Sequence, residues 1–316
     1  MDISVVVPLF NEEESLPELT VWIDRVMKAN NFTYAVWLID DGSTDGSWKV
    51  VQELRDKNPN IKAVKFQRNY GKSPALYVGF KHVEGDVVIT MDADLQDSPD
   101  EIPELYRMVK EGGFDLVSGW KQKRHDPMGK TIPSKFFNAV TRKVSGIKLH
   151  DFNCGLKAYR RNVVKSIEVY GDMHRHMPLL AKWAGFNNIG EKVVEHRARK
   201  YGYSKFGISR LVTGFLDLLS LMFVVKFGKR PMHLFGTLGT LMFLVGLSSL
   251  LYIGGTKLYA LANQDPHILV VENPWFYIGL TSMLLGTILF VTGFLAELVS
   301  RSGSDRNNYL IEEIGG

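Results

Sequence analysis

Two hydrophobic rhythms alternate along the first two hundred residues of the chain. Ile3–Val7 is a short β-branched run closed by Pro8, and Tyr34–Ile39, Ile61–Phe66 and Val87–Met91 repeat its character. Runs of this length bounded by turn residues read as buried strands. Between them, Leu16, Leu19, Ile23, Val26 and Met27 recur at helical spacing and predict a helix over Glu12–Ala29. Further helices are predicted over Ser47–Lys57 and Ser73–His82. Strands alternating with helices imply an α/β domain built on a mostly parallel, Rossmann-like sheet covered on both faces. Such sheets bind ligands beyond the carboxyl ends of their strands. Asn11-Glu12, Asp40-Asp41 and Asp92–Asp94 all fall at those ends.

The rhythm changes past residue 206. Phe235–Thr256 and Trp275–Ala296 are each 22 residues without a charge, and about 20 apolar residues suffice to cross a bilayer. Two such segments in succession read as two transmembrane helices rather than buried core helices. Lys226, Lys229 and Arg230 precede the first, Arg301 and Arg306 follow the second, and the intervening loop carries Lys257 as its one basic residue. The positive-inside rule therefore places both ends of the chain in the cytoplasm. Trp275, Phe276 and Tyr277 suit an interfacial belt. Residues 208–225 are apolar except for a stripe of Ser209, Thr213, Asp217 and Ser220. They predict an amphipathic helix lying in the membrane interface; a third span is the alternative, against which Asp217 argues. The expected division is a domain over 1–206, a juxtamembrane region over 207–233, a two-helix membrane domain over 234–300 and a cytoplasmic tail over 301–316.

Composition adds little to this picture. The 316 residues are 45% hydrophobic and 23% charged, with a formal charge of +4. That mild charge does not indicate nucleic-acid binding, and it suits an anionic membrane surface or a phosphorylated ligand. The single cysteine, Cys154, excludes an intramolecular disulfide and fits a buried thiol in a reducing compartment. Met1-Asp2 leads straight into a strand-like run, unlike a secretory signal, so the domain over 1–206 is expected in the cytosol.

Candidate chemistry concentrates at the strand ends. Alternating carboxylates in Asp92-Ala93-Asp94 can share a divalent cation with a diphosphate, since Mg²⁺ takes one or two protein carboxylates and completes its shell from phosphate and water. Such a cation neutralises charge on a departing nucleoside diphosphate. The turn Asp40-Asp41-Gly42-Ser43-Thr44-Asp45-Gly46-Ser47 caps the helix that follows, or offers a carboxylate to a base or ribose. Neither a glycine-rich dinucleotide fingerprint nor a phosphate loop with its lysine occurs, which excludes the usual dehydrogenase and kinase readings. Arg197, Arg199, Lys200 and Lys205 form a basic cluster just before the apolar tail, suited to anionic lipid heads or a lipid phosphate. His174 and His176 flank Arg175 without ligand spacing and read as structural or surface residues.

Four motifs in order carry a resemblance: Val5-Val6-Val7-Pro8-Leu9-Phe10-Asn11-Glu12-Glu13, the turn Asp40–Asp45, Arg68-Asn69-Tyr70-Gly71-Lys72, and Met91-Asp92-Ala93-Asp94-Leu95-Gln96-Asp97. Together they resemble family-two glycosyltransferases of the GT-A fold. More narrowly, residues 1–206 resemble the polyprenyl-phosphate glycosyltransferases, a group that includes dolichol-phosphate mannose synthases and bacterial undecaprenyl-phosphate glucosyltransferases, and the two-span tail resembles the bacterial subgroup. The resemblance implies that Pro8, Phe10, Glu12 and Asp40 line a nucleoside pocket with Asp41 close by, and that Lys72 lies near the base or diphosphate. It further implies that Asp92 contacts the ribose or metal-bound water, that Asp94 binds Mg²⁺ or Mn²⁺ directly, and that Gln96 lies beside them. Asp151 matches the acidic position proposed as catalytic. Arg197 or Arg199, with Ser204 and Lys205, matches the segment that meets the phosphates.

The implied reaction is inverting transfer of a sugar from a nucleotide donor, UDP-glucose favoured, to polyprenyl phosphate at the cytoplasmic face of the membrane. UDP-linked amino sugars and GDP-mannose remain open as donors. The same resemblance points to a separate flippase for the product and to a homotetramer. A phosphate monoester is already largely ionised at neutral pH, so Asp151 is expected to orient substrate more than to remove a proton. The rivals are a processive polysaccharide synthase and a non-catalytic scaffold that binds nucleotide sugars. The first normally carries a Gln-x-x-Arg-Trp segment where this chain reads His174-Arg175-His176-Met177-Pro178, and the second does not account for the acidic set Asp40, Asp41, Asp92, Asp94 and Asp151.

Overall fold

The computed structural model describes residues 1–122, 138–143, 145–169, 171, 173–198, 200–201, 223, 231–264 and 269–302. They form two compact units, one within Met1–Leu218 and one within Leu219–Gly316. In the first, the strands are β1 (Ile3–Leu9), β2 (Tyr34–Asp40), β3 (Ile61–Lys65), β4 (Val87–Thr90), β5 (Leu116–Trp120), β6 (Lys157–Arg160) and β7 (Ile189–Val193). They make one sheet in the order β3-β2-β1-β4-β6-β5-β7. Among them β6 alone opposes its neighbours, pairing antiparallel with β4 and β5, while the other ladders are parallel. Its amino end therefore meets the carboxyl ends of the rest: Lys157 lies opposite both Thr90 and Ser118.

Helices cover both faces, as the alternating rhythm predicts. On one face α1 (Leu16–Ala29), α2 (Ser47–Lys57) and α4 (Ile102–Lys110) bury Leu16, Leu19, Ile23, Met27, Val51, Ile102 and Leu105 against Ile3, Val5, Leu38 and Ile89. On the other, α3 (Lys72–His82), α5 (Arg161–Ser166) and α6 (Met177–Trp183) bury Ala75, Leu76, Phe80, Val163 and Met177 against Val6, Ile39, Val88 and Tyr159. Full burial of each such aliphatic side chain is worth about 1.5–3 kcal/mol, so both layers are held by apolar contact. Helix α1 begins at Leu16, not at Glu12 as its apolar spacing predicts. The cause is local. Asn11 is left-handed (φ 57°), and Glu12 N–H donates to Ser47 Oγ at 2.8 Å. Gly46 N–H donates to Glu13 Oε2, also at 2.8 Å. Residues 11–13 are thus committed to the loop before α2.

The second unit is a helical hairpin of α7 (Met232–Ala262) and α8 (Pro274–Ser302). Both helices are long and apolar enough to cross a membrane. Glycines set their contact: a Cβ on Gly246 would lie 2.5 Å from the Gly279 carbonyl, and one on Gly239 would lie 2.6 Å from that of Gly286. Ser282 Oγ–H adds a bond to the Met242 carbonyl at 2.8 Å. Close backbone approach over small residues is the usual packing of helices in lipid. Leu241, Val245, Leu251, Tyr252, Leu284 and Phe294 are exposed, unlike the side chains of a soluble core helix. Residues 208–225, read as an interfacial helix, lie outside the described residues except for Phe223.

Candidate active site

The carboxyl edge of the sheet gathers the acidic residues. Asp40 closes β2 in register with Leu9 of β1 and is fully buried. Its Oδ1 accepts the Ser43 N–H at 2.9 Å, whereas Oδ2 is buried with no hydrogen-bond partner among the described residues. A buried carboxylate oxygen without a donor is costly, and a ligand hydroxyl or base N–H would satisfy it. Asp41 is spent differently. Its two oxygens accept the Tyr70 and Gly71 N–H groups at 2.7 and 2.8 Å, anchoring the loop that leads to Lys72. Burial raises its pKa against those two bonds, and the Asp40 charge adds to the rise. Pro8 and Phe10, both half-buried, flank this corner at the end of β1. Pro8 lies past the β1–β4 ladder, whose last pair is Val6 with Thr90, so no bond to β4 is lost for want of an N–H.

Beyond β4 the chain turns through Asp92, Ala93 and Asp94. Leu95 there has a left-handed backbone (φ 59°) while its side chain is buried in the core. For a bulky residue that conformation costs about 1–2 kcal/mol, and it turns the backbone so that Asp94 Oδ1 accepts the Gln96 N–H at 3.2 Å. The Lys72 ammonium contacts Asp92 Oδ1. Burial opposes ionisation of Asp92, but Lys72 overrides it and brings the pKa down to about 2. Lys121, just past β5, pairs at 2.7 Å with the fully buried Asp97. Burial disfavours the Lys121 cation, and the Asp97 charge more than reverses this, raising its pKa.

Asp151 reaches the same edge on a loop stapled to four strands. Glu191 of β7 accepts the His150 and Asp151 N–H groups on Oε1 at 2.7 and 3.0 Å. From β5, Ser118 Oγ–H donates to the Asp151 carbonyl at 3.2 Å. From β4, Thr90 Oγ–H donates to the Gly155 carbonyl at 2.9 Å. Lys157, opening β6, donates to the Cys154 carbonyl and is 3% exposed; burial lowers its pKa. The loop packs so closely that a Cβ on Gly155 would lie 2.5 Å from Asp92 Oδ2. Asp151 itself is buried, with Oδ1 accepting the Asn153 N–H at 3.0 Å.

His174 was not anticipated at the site. Its backbone N–H donates to Ser73 Oγ at 3.0 Å, and its Nδ1 lies 3.0 Å from the same oxygen. The hydroxyl can both donate and accept, so Ser73 fixes the ring orientation in either neutral tautomer. Burial first, then the Lys72 and Arg175 charges, hold its pKa well below the usual value, so the ring stays neutral. Its neighbour His176 is buried.

Gln96 and Arg197 meet through their backbones, with Arg197 N–H donating to the Gln96 carbonyl at 3.0 Å. The Arg197 guanidinium, however, lies 4.4 Å from the Trp22 ring and 3.3 Å from Glu195. It is engaged with α1 and its own strand end rather than with the Asp92–Asp94 turn. Glu12 sits at the turn before α1, its Oε2 accepting from Ser15 Oγ at 3.2 Å. Arg199, Ser204 and Lys205 lie outside the described residues.

Among the described residues no three or more His, Cys, Asp or Glu side chains group to hold a metal by themselves. Two alternating carboxylates needing diphosphate oxygens to complete the shell are what a hard divalent cation accepts, so Asp92 and Asp94 fit that kind of ion.

Residues 4–168 match the model of the family described as Glycosyl transferase family 2. The chain is 34% identical over 320 residues to a dodecaprenyl-phosphate galacturonate synthase of Rhizobium johnstonii, covering 99% of this chain and 93% of the relative. It is 31% identical over 318 residues to an undecaprenyl-phosphate 4-deoxy-4-formamido-L-arabinose transferase of Proteus mirabilis, covering 99% and 94%. Among solved structures, glucosyl-3-phosphoglycerate synthase from Mycobacterium tuberculosis in complex with Mn²⁺ and UDP-glucose superposes with a TM-score of 0.54 over 71% of this chain and 78% of that one, at 20% identity. The sheet order, the acidic strand ends and these likenesses converge: the chain belongs to glycosyl transferase family 2 and is a glycosyltransferase of the GT-A fold.

Proposed function

We propose that the chain transfers a sugar from a nucleotide donor to polyprenyl phosphate at the cytoplasmic face of a membrane. The observation that carries this reading is full-length similarity to two enzymes named for polyprenyl-phosphate substrates, spanning both the acidic edge and the apolar hairpin. The nucleoside rests against Pro8, Phe10 and Asp40, whose orphaned oxygen takes a ligand hydrogen. Asp94, assisted by Asp92, holds Mg²⁺ or Mn²⁺, which when bound neutralises the leaving diphosphate. Lys72 adds a second cation beside it, and Asp41 keeps the Lys72 loop in place. Asp151, with its oxygen already accepting the Asn153 N–H, orients the acceptor or the sugar. The phosphate oxygen attacks the anomeric carbon directly and the nucleoside diphosphate departs, inverting the configuration. The basic segment through Arg199, Ser204 and Lys205 meets the lipid phosphate, while Arg197 braces that segment on Trp22.

UDP-glucose is the donor favoured by the subgroup resemblance. The two relatives are named for galacturonate and 4-deoxy-4-formamido-L-arabinose, so donors bearing a carboxylate or an amide stand beside it. α7 and α8 anchor the enzyme beside its acceptor, with a flippase as a downstream partner and self-association into a tetramer as the assembly. The test incubates purified protein with undecaprenyl phosphate, Mg²⁺ or Mn²⁺ and a panel of radiolabelled nucleotide sugars. A lipid-soluble labelled product that disappears with chelator and with Asp94→Asn is expected; no product from any donor rejects the reading.

A further inference from the structure

The reacting groups follow one line along the sheet edge. Asp40 ends β2, Asp92 follows β4, Lys157 opens β6 and Trp120 ends β5, in the spatial order β2-β1-β4-β6-β5. Neighbouring strands lie about 4.8 Å apart, so Trp120 stands about 10 Å beyond the strand that presents Asp92, on the side away from Asp40. Lys157 and Ser118 are ladder partners, and Trp120, two residues on from Ser118, shares their face of the sheet. That is the face on which α3 packs, and Lys72 of α3 reaches Asp92 from it.

A ring pair occupies this point. The His150 imidazole stacks on the Trp120 indole with centroids 4.1 Å apart and planes 14° from parallel. Glu191 fixes the imidazole: Oε2 lies 2.7 Å from Nδ1, while Oε1 takes the His150 and Asp151 N–H groups. The carboxylate is thereby occupied as an anchor. Nδ1 holds its proton against that carboxylate, so Nε2 is the polar atom left at the rim of a side chain that is 52% exposed. A flat ring backed by a second ring, with one polar atom at its edge, suits the apolar face and hydroxyl rim of a sugar.

We propose that the Trp120–His150 pair, held by Glu191, is the platform on which the donor's sugar ring lies, and that it determines which sugar the enzyme takes. The inference rests on the donor path proposed above, with the nucleoside at Asp40 and the diphosphate at Asp92–Asp94. The sugar is the part of the donor beyond the diphosphate, and the ring pair stands farther along the same edge, at the end of β5. A prenyl chain would need an apolar trough, whereas this platform has a carboxylate-held polar edge.

Calorimetric titration of the full-length protein in lipid nanodiscs with Mn²⁺ tests it. From a panel of UDP- and GDP-sugars, the one bound most tightly by the wild type is compared with its bare nucleoside diphosphate. His150→Ala and Trp120→Ala are expected to weaken the sugar nucleotide by about tenfold or more, the scale of one aromatic contact with one hydrogen bond. Binding of the bare nucleoside diphosphate should change less than about twofold, which also shows that the variants are folded. Trp120→Phe should retain most of the affinity. Should His150→Ala fail to fold, His150→Asn, which removes the ring, is read in the same way. Equal weakening of both ligands, no weakening, or a rise confined to the KM of undecaprenyl phosphate overturns the platform while leaving the proposed transfer intact. A wild type that binds no sugar nucleotide overturns both. Sugar-nucleotide binding that survives Asp94→Asn counts against the metal site alone.

Discussion

Gly155 shows how little freedom the site leaves to a single residue. A methyl there would lie 2.5 Å from the Asp92 carboxylate, on a loop that Thr90 and Lys157 already hold from two strands. Gly155→Ala is expected to leave the protein folded and to lower transfer by about 100-fold, the usual cost of misplacing a reacting group by about 1 Å. The comparison is kcat/KM beside the melting temperature; near-native activity would show that Asp92 moves freely. Asp151→Asn separates two roles. General-base catalysis contributes about 10²–10⁴-fold, and a lipid phosphate is already ionised, so a loss of no more than about tenfold is expected. Near-complete loss with donor and acceptor binding intact would make Asp151 a base after all. The residues that hold Asp151 could not be read from the sequence. Glu191, Ser118 and Lys157 act from three different strands, and nothing local marks a Glu some forty positions downstream as the support of a loop. The structural partner of His174 was equally illegible, because its link to Ser73 crosses a hundred positions.

At the level of elements, periodicity carried most of the first unit. Strands β1 to β4 and the helices between them fall where their apolar spacing places them, within a residue or two, because each buries a face set by its own sequence. Two features escaped that logic. The start of α1 is displaced by side-chain bonds to the loop before α2, a competition invisible to helical spacing. The reversal of β6 depends on the path between Trp120 and Lys157 rather than on any pattern within its four residues, and it is this reversal that brings Lys157 to the reaction edge. The Asp40–Gly46 turn offers a test at this scale. Gly42 has φ 70°, and a Cβ there would lie 2.4 Å from the Arg68 backbone carbon. Gly42→Ala thus combines backbone strain with a clash that no side chain can relieve. It is expected to cost about 2 kcal/mol or more and to loosen the Arg68–Lys72 loop, weakening nucleotide binding together with stability. Thermal melting and nucleotide titration of the same variant measure the two effects, and unchanged values for both would remove the turn from the architecture of the site.

The whole chain joins a soluble-type α/β unit to an apolar hairpin, and its single cysteine makes the arrangement testable. Hydropathy marked the two spans, but α7 runs from Met232 to Ala262, past both ends of the uncharged window and through Lys257. A lysine near a helix end can extend its amine to the interface while its stem stays apolar, so the charge that bounds the window does not end the helix. By the positive-inside rule, the basic residues flanking the hairpin predict outer ends in the cytoplasm and residues 263–273 on the far side of the membrane. Cys154 is buried, and burial pushes its thiol pKa up to about 12. At pH 7–8, well below that value, it stays a protonated and shielded thiol. The unmodified chain is therefore expected to resist maleimide until it is denatured, and a cysteine introduced elsewhere reports without background. Asn263→Cys should react with a membrane-impermeant maleimide added to spheroplasts, whereas Arg306→Cys should react only after the membrane is opened. The reverse pattern would invert the topology and put the catalytic unit on the side away from cytoplasmic nucleotide sugars. Labelling of both from outside would mean that only one of the two helices spans the membrane or that neither does, and the acceptor would then have to be reached without the hairpin as an anchor.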